Sequence, residues 1–196
     1  MTGVGAVINT ASAREEDSIA IVGLGGVGLS ALLASIAIGS KKTIAIDLSN
    51  EKLNLAHELG ADHILNPNDA NFLERVRDLT SGGANIAIET AGSGRALKTA
   101  YDITRRGGTT VAAGMPGPKV DITLSHLSIA AEERIIKGSY MGSCIAHRDI
   151  PKYLDMFQTG KLPVDRLLSR KITFEDLNAA MDRLDDAKTV REVLIP

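Results

Sequence analysis

One cysteine, Cys144, stands among 196 residues, so the chain can close no internal disulfide. That usage fits a reducing compartment, and the reading is cytoplasmic. No run of about 18 apolar residues occurs, which excludes a transmembrane helix. The N-terminus shows no charged stretch followed by an apolar one, so no signal peptide is expected. Charge of neither sign is in marked excess. Twenty-two Lys and Arg oppose 24 Asp and Glu, interspersed, for a net charge of −2. Neither nucleic acid nor an anionic membrane is expected as a partner. Metal-ligand spacings are missing as well: His57, His63, His126 and His147 fall in no such pattern with one another or with Cys144. Each histidine reads as an ordinary solvated or hydrogen-bonded side chain. Cys144 reads as a small apolar filler. No Ser/His/Asp constellation, internal repeat or low-complexity segment is present.

What remains is a chain with 44% apolar residues, long enough to bury a substantial core. Strand-like and helix-like stretches alternate along it. Ser18-Ile19-Ala20-Ile21-Val22 reads as a strand, and 29–34 opens a helix. Strand 42–47, helix 50–59 ended by Gly60, strand 63–67 and helix 71–79 follow. Strand 85–90, helix 95–104 and strand 109–114 complete the series. Such alternation predicts a parallel sheet with helices on both faces and right-handed crossovers. After 148 the pattern reads helix 149–158, strand 167–172, helix 175–184 and strand 191–195. Pro151 falls in a first helical turn, and Thr173 with Asp176 forms an Asp version of a capping box.

Between the first strand and its helix lies Gly23-Leu24-Gly25-Gly26-Val27-Gly28. Gly23 suits a tight turn, Gly25 lets a pyrophosphate approach the backbone, and Gly28 lets helix and strand pack closely. Free N–H groups at the helix start would face the diphosphate, backed by the helix dipole. A turn that needs glycine for packing alone is the alternative. The second strand ends in Asp47, 24 residues after Gly23, near the spacing for a carboxylate that binds an adenosine ribose. A surface acid or a helix cap is the alternative there. No Arg follows in 48–51, and Asp47 would repel a 2′-phosphate, so NAD is favoured over NADP. Thr90-Ala91-Gly92 and Ala113-Gly114-Met115 leave room for a cofactor at the same sheet edge, unless their glycines only begin turns.

These features, with Thr2-Gly3-Val4-Gly5-Ala6, Leu59-Gly60-Ala61-Asp62, Asn66-Pro67, Lys137-Gly138-Ser139-Tyr140-Met141-Gly142, Leu162-Pro163-Val164-Asp165 and Val190-Arg191, extend over almost the whole chain. On them the chain resembles the zinc-type alcohol dehydrogenases of the medium-chain dehydrogenase/reductase family, the class III (glutathione-dependent formaldehyde dehydrogenase) branch in particular. The resemblance implies a doubly wound Rossmann sheet over 17–147. It also implies incomplete pieces of a second, GroES-like catalytic domain: a helix and hinge in 1–16, and a returning segment in 148–196. It implies NAD-dependent hydride transfer between an alcohol and an aldehyde or ketone.

Residue by residue, the resemblance places Leu24, Gly25, Gly26 and Val27 at the pyrophosphate, with Val27 also against the nicotinamide. Asp47 and Lys52 would hold the adenosine ribose, and Thr90 and Ala91 would line the cleft. Backbone groups of Ala113, Ser139 and Met141 would hold the carboxamide, with Gly114 and Met115 beside them. Thr2 would touch the nicotinamide ring, and Arg191 would reach the pyrophosphate with forked hydrogen bonds. For Lys52 and Arg191 the alternative is a plain solvated charge. The family's catalytic zinc ligands lie in a region preceding the position of Thr2. The expectation is therefore no catalytic residue and no metal ligand in this chain, and an inactive chain when alone. Residues 1–16 and 148–196 should leave an apolar patch bare. A non-catalytic NAD(H)-binding module, or a homo-oligomer (at least a dimer) joined edge to edge through a strand at 137–144, are further readings. Flavin proteins would prefer Glu at the place of Asp47, and methyltransferases lack the Thr90, Gly114 and Arg191 set.

Overall fold

All five residues of strand β1 (Ser18–Val22) are buried, which is what a strand covered on both faces requires. The side chains alternate. Ile19 and Ile21 join one core cluster, while Ala20 and Val22 join another on the opposite face. The computed structural model describes residues 1–185 and 189–195. Strands β2 (Lys42–Ile46), β3 (His63–Leu65), β4 (Ala84–Glu89), β5 (Thr104–Ala112) and β6 (Ile135–Gly138) complete a six-stranded sheet. Its order is β3-β2-β1-β4-β5-β6, with every pair parallel. Order reverses between β1 and β4, so a crevice opens at the carboxyl ends of those two strands.

Helices α2 (Gly26–Ala37) and α3 (Asn50–Glu58) cover one face of the sheet, contributing Leu29, Leu32, Leu33, Leu53 and Ala56 to the first cluster. Burying each of these leucines contributes about 1.5–3 kcal/mol. Helices α4 (Phe72–Thr80) and α5 (Gly94–Ile103) cover the other face through Phe72, Val76, Ala100 and Ile103. The doubly wound α/β architecture read from the alternation is the observed one.

Several boundaries move. Strand β5 starts at Thr104, five residues before the predicted start, because its pairing with β4 shifts register between Ala84 and Ile86 and takes in the glycines at 107 and 108. Helix α7 (Ala146–Gln158) starts earlier than predicted, so Pro151 lies inside it. Asp149 explains the earlier start: its Oδ2 accepts the Ile145 N–H at 2.8 Å and its own N–H bonds the Ile145 carbonyl at 2.9 Å. The Arg148 guanidinium is the main reason the Asp149 carboxyl is held down to about 2. Residues 137–144 do not form one strand. β6 ends at Gly138 and a 3-10 turn follows at Met141–Ser143, where Gly142 takes φ +71 and packs against Gly5. The short helix α6 (His126–Ala131) precedes β6. Beyond a 3-10 turn at Val164–Leu167, strand β7 (Arg170–Ile172), helix α8 (Leu177–Asp185) and strand β8 (Glu192–Leu194) make a separate parallel pair, β7 with β8. The Thr173–Asp176 capping contacts are long, at 3.5 Å.

The N-terminal segment corrects a second expectation. Helix α1 (Thr2–Gly5) and the π-helical turn Ala6–Thr10 do not lie bare; Val4, Ala6 and Val7 are buried in the main core. Gly3 lies directly against Val27 and Ala31 of α2, and Gly5 against Gly142 and Cys144, so the absence of side chains lets the segment sink in. Asn9 Nδ2 lies 3.2 Å from Asp149 Oδ2, 3.3 Å from the Tyr153 hydroxyl and 3.5 Å from Cys144 Sγ. Cys144 is therefore no plain apolar filler; its thiol faces a polar cluster at the core's edge. The other part of that expectation, 148–196, does carry bare apolar surface: Ile150, Leu154, Phe157, Leu168, Phe174 and Met181 are exposed. Such a surface predicts self-association. Sedimentation velocity should show larger species at higher concentration, reduced by Leu154→Asp with Phe174→Asp. A wild-type chain that stays monomeric throughout would contradict this.

Candidate nucleotide site

The crevice at the sheet reversal is built by the loops that leave β1, β2 and β4. Leaving β1, Gly23 takes φ +95, and a Cβ there would lie 2.8 Å from Ala91. At Gly28 a Cβ would lie 1.8 Å from the Gly23 carbonyl oxygen and 2.7 Å from Thr90 Oγ1. Gly25 is the opposite case: a Cβ there would meet nothing within 4 Å. The chain thus presses on two glycines of the motif and leaves the middle one facing open space. No side chain caps α2, whose N-cap is Gly25, and its first turn holds no acid. Its opening N–H groups therefore point outward with the positive helix end behind them. The Arg191 guanidinium comes across this turn, its Nη2 2.9 Å from where a Gly26 Cβ would sit.

Leaving β2, Asp47 binds the protein with both oxygens. Oδ2 accepts the Leu24 N–H at 2.7 Å and Oδ1 accepts the Ser49 N–H at 2.9 Å. The carboxylate therefore stiffens the glycine turn as well as facing the crevice, since a carboxylate has lone pairs beyond those two bonds. Leu24 is fully buried with its N–H so occupied, which leaves the outward donors of the turn to the residues after it. Leaving β4, Thr90 Oγ1 donates to the Gly23 carbonyl at 2.6 Å, locking the β1 and β4 loops together. A cleft of about 250 Å³ results, lined by Gly23, Asp47, Lys52 and Ala91 together with Arg95 and Thr99.

The remaining candidate residues divide. The N–H groups of Ala113 and Ser139 are used internally, bonded to the Glu89 and Ala112 carbonyls at 2.8 Å each, and among the described hydrogen bonds their own carbonyls are not engaged. Ser139 Oγ lies 2.7 Å from Thr10 Oγ1. Met141 and Met115 are exposed, while Thr2 is half-buried at the start of α1. Gly114 packs against Gly92, where a Cβ would lie 2.2 Å from the Gly92 nitrogen. Two contributors escaped the sequence reading. Arg95 enters the cleft from the first turn of α5, its Nη2 bonded to Asn68 Oδ1 at 2.7 Å. A helix start directly after a strand at the reversal point was the available signal for it. Glu89, buried at the end of β4, looked like the last residue of an apolar strand. Among the described residues no group of three or more His, Cys, Asp or Glu side chains is placed to hold a metal ion. No described helix is long and apolar enough to cross a membrane.

A family model described as zinc-binding dehydrogenase matches residues 26–159. The chain belongs to this family. Geraniol dehydrogenase of Castellaniella defragrans is 33% identical over 195 residues, covering 99% of this zinc-binding dehydrogenase chain and 52% of its relative. The class-2 isozyme 2 alcohol dehydrogenase of Oryctolagus cuniculus is 33% identical over 200 residues, again 99% against 52%. An alcohol dehydrogenase zinc-binding domain protein from Burkholderia ambifaria superposes with a TM-score of 0.95 at 31% identity, over all of this chain and 53% of that one. The chain thus spans about half the length of the relatives it matches.

Proposed function

We propose that the chain is the NAD(H)-binding part of an oxidoreductase that interconverts alcohols and aldehydes or ketones. In this reading residues 17–147 form the nucleotide-binding unit, and 1–16 and 148–196 belong with a catalytic domain. The observation that carries it is the open approach at Gly25, flanked by Asp47 on one side and Arg191 on the other. The outward N–H groups of the first α2 turn and the Arg191 guanidinium hold the pyrophosphate. Asp47 and Lys52 take the adenosine ribose, and Arg95 and Thr99 line its cleft. Thr90 and Ala91 floor the crevice. The Ala113 and Ser139 carbonyls and the Met141 backbone take the nicotinamide carboxamide, with Gly114, Met115, Val27 and Thr2 around the ring. NAD supplies hydride acceptance; this chain's residues bind and orient it. The alcohol or aldehyde is met by groups outside the set described, and zinc with them.

A second reading, a non-catalytic NAD(H)-binding and oligomerisation module, is favoured by one observation. β6 is the sheet's edge strand, and its Ile135 and Ile136 are exposed.

A fluorescence titration tests the cofactor claim, and with no Trp in the chain the NADH signal is clean. NADH should bind, and more tightly than NADPH, because the Asp47 carboxylate repels a 2′-phosphate. Asp47→Ala should weaken NADH about tenfold, the weight of a hydrogen bond to a charged group, and narrow the gap to NADPH. Absence of binding at millimolar NADH would end the reading. Tighter NADPH than NADH would overturn the cofactor choice, to which Arg95 and Lys52 in the same cleft offer cations.

A further inference from the structure

Glu89 is the carboxylate that the proposed chemistry leaves without a role. It ends β4 at 2% exposure, between β1 and β5 in the sheet. Its Oε1 accepts the Gly92 N–H at 2.6 Å, and its main-chain carbonyl accepts the Ala113 and Gly114 N–H groups at 2.8 and 2.9 Å. A Cβ at Gly114 would lie 2.8 Å from that same Oε1. One residue therefore holds both small-residue turns, 90–92 and 113–115, against each other at the sheet's carboxyl edge.

We propose that Glu89 is a positioning residue whose carboxylate sets the ledge under the dinucleotide; this rests on the NAD(H) reading above. The argument is one of donors and acceptors. A carboxylate only accepts, and here it accepts the Gly92 N–H inside one turn while lying against Gly114 of the other. A neutral amide or acid of the same shape accepts that N–H less strongly than the charged carboxylate does, so the 90–92 turn is held less firmly. Neighbouring Thr90 bonds the glycine turn through Gly23, so displacement at 90–92 reaches the pyrophosphate site too. Burial raises the Glu89 carboxyl above its ordinary value despite backbone N–H groups that pull the other way. The folded chain thus holds this proton more tightly than the unfolded chain does. This group's contribution to stability is full below the unfolded value of 4.5 and is lost as the pH rises through the raised one. A buried acid tied to both turns at the edge of the crevice points to work at the site rather than to stability.

The test separates those two effects. Glu89→Gln should leave the melting temperature at neutral pH equal or higher, yet weaken NADH about tenfold, as the loss of a hydrogen bond to a charged acceptor does. Wild-type affinity for NADH should fall as the pH is lowered from about 8 to about 5, and the fall should be shallower in Glu89→Gln. Asp121, exposed, is the other titratable group lining the cleft beside Glu89, and it is common to both proteins. In the wild type alone, the Gly92 and Gly114 amide NMR shifts should titrate together over that range. Equal NADH affinity with parallel pH profiles would overturn the proposal, as would amide shifts that do not move. A wild type that binds no NADH would instead sink the cofactor reading, while co-titrating amides would still show that Glu89 holds the two turns.

Discussion

Gly28→Ala is expected to lose about 3 kcal/mol of stability and NADH binding with it, since a Cβ there would meet the shortest approach found at any glycine of the chain. Two terms compete. Alanine in a helix is better than glycine by about 1 kcal/mol. Against this, the new Cβ would sit 1.8 Å from the Gly23 carbonyl oxygen and 2.7 Å from Thr90 Oγ1. Neither neighbour can yield cheaply. The carbonyl is backbone, and it accepts the Thr90 hydroxyl at 2.6 Å. Helix α2 would have to lift from the β1 turn, opening the packing of Leu29 and Leu32 beneath it. Overpacking wins by a few kcal/mol, which for a chain of this length corresponds to a melting temperature about 10 °C lower. A variant melting within about 2 °C of the wild type would show that the turn yields where the geometry says it cannot.

Much of this arrangement was legible before any coordinates. The apolar run 18–22 announced a strand, the alternation of strands with helices announced a sheet covered on both faces, and the glycine spacing announced the turn. Asp47 was found by its spacing alone. What spacing could not say is that Asp47 spends both oxygens on backbone N–H groups, those of Leu24 and Ser49, and so braces the turn itself. Residues 137–144 misled because apolar, β-favouring Ile135 to Lys137 continue into a stretch whose course is set by a distant partner, the N-terminal Gly5. The burial of residues 3–7 had the same cause: Gly3 and Gly5 permit contacts that no local pattern encodes. Glu89 was hidden because an acid at a strand end is ordinarily solvated, and only the fold gathers the amides around it.

Gly25→Ala should behave oppositely to Gly28→Ala, keeping the fold and losing the ligand. At this N-cap, glycine is better than alanine by about 0.5–1 kcal/mol, and alanine regains about 0.4–1 kcal/mol by restricting the unfolded chain, so stability should barely change. The backbone there is extended, at φ −79 and ψ −170, which alanine adopts freely, and the added Cβ meets nothing within 4 Å. It does enter the space through which a diphosphate would reach the first N–H groups of α2. Holding phosphate oxygens one methyl radius away removes short, charge-assisted hydrogen bonds, which are among the strongest a backbone makes. NADH should bind about a hundredfold more weakly, about 2.7 kcal/mol, with the melting curve of the unliganded chain unmoved. This variant isolates the cofactor from the fold more cleanly than Asp47→Ala, because Asp47 also braces the turn through Leu24. Unchanged NADH affinity in Gly25→Ala would mean that the dinucleotide does not cross this turn, and that the open space in front of Gly25 has another tenant.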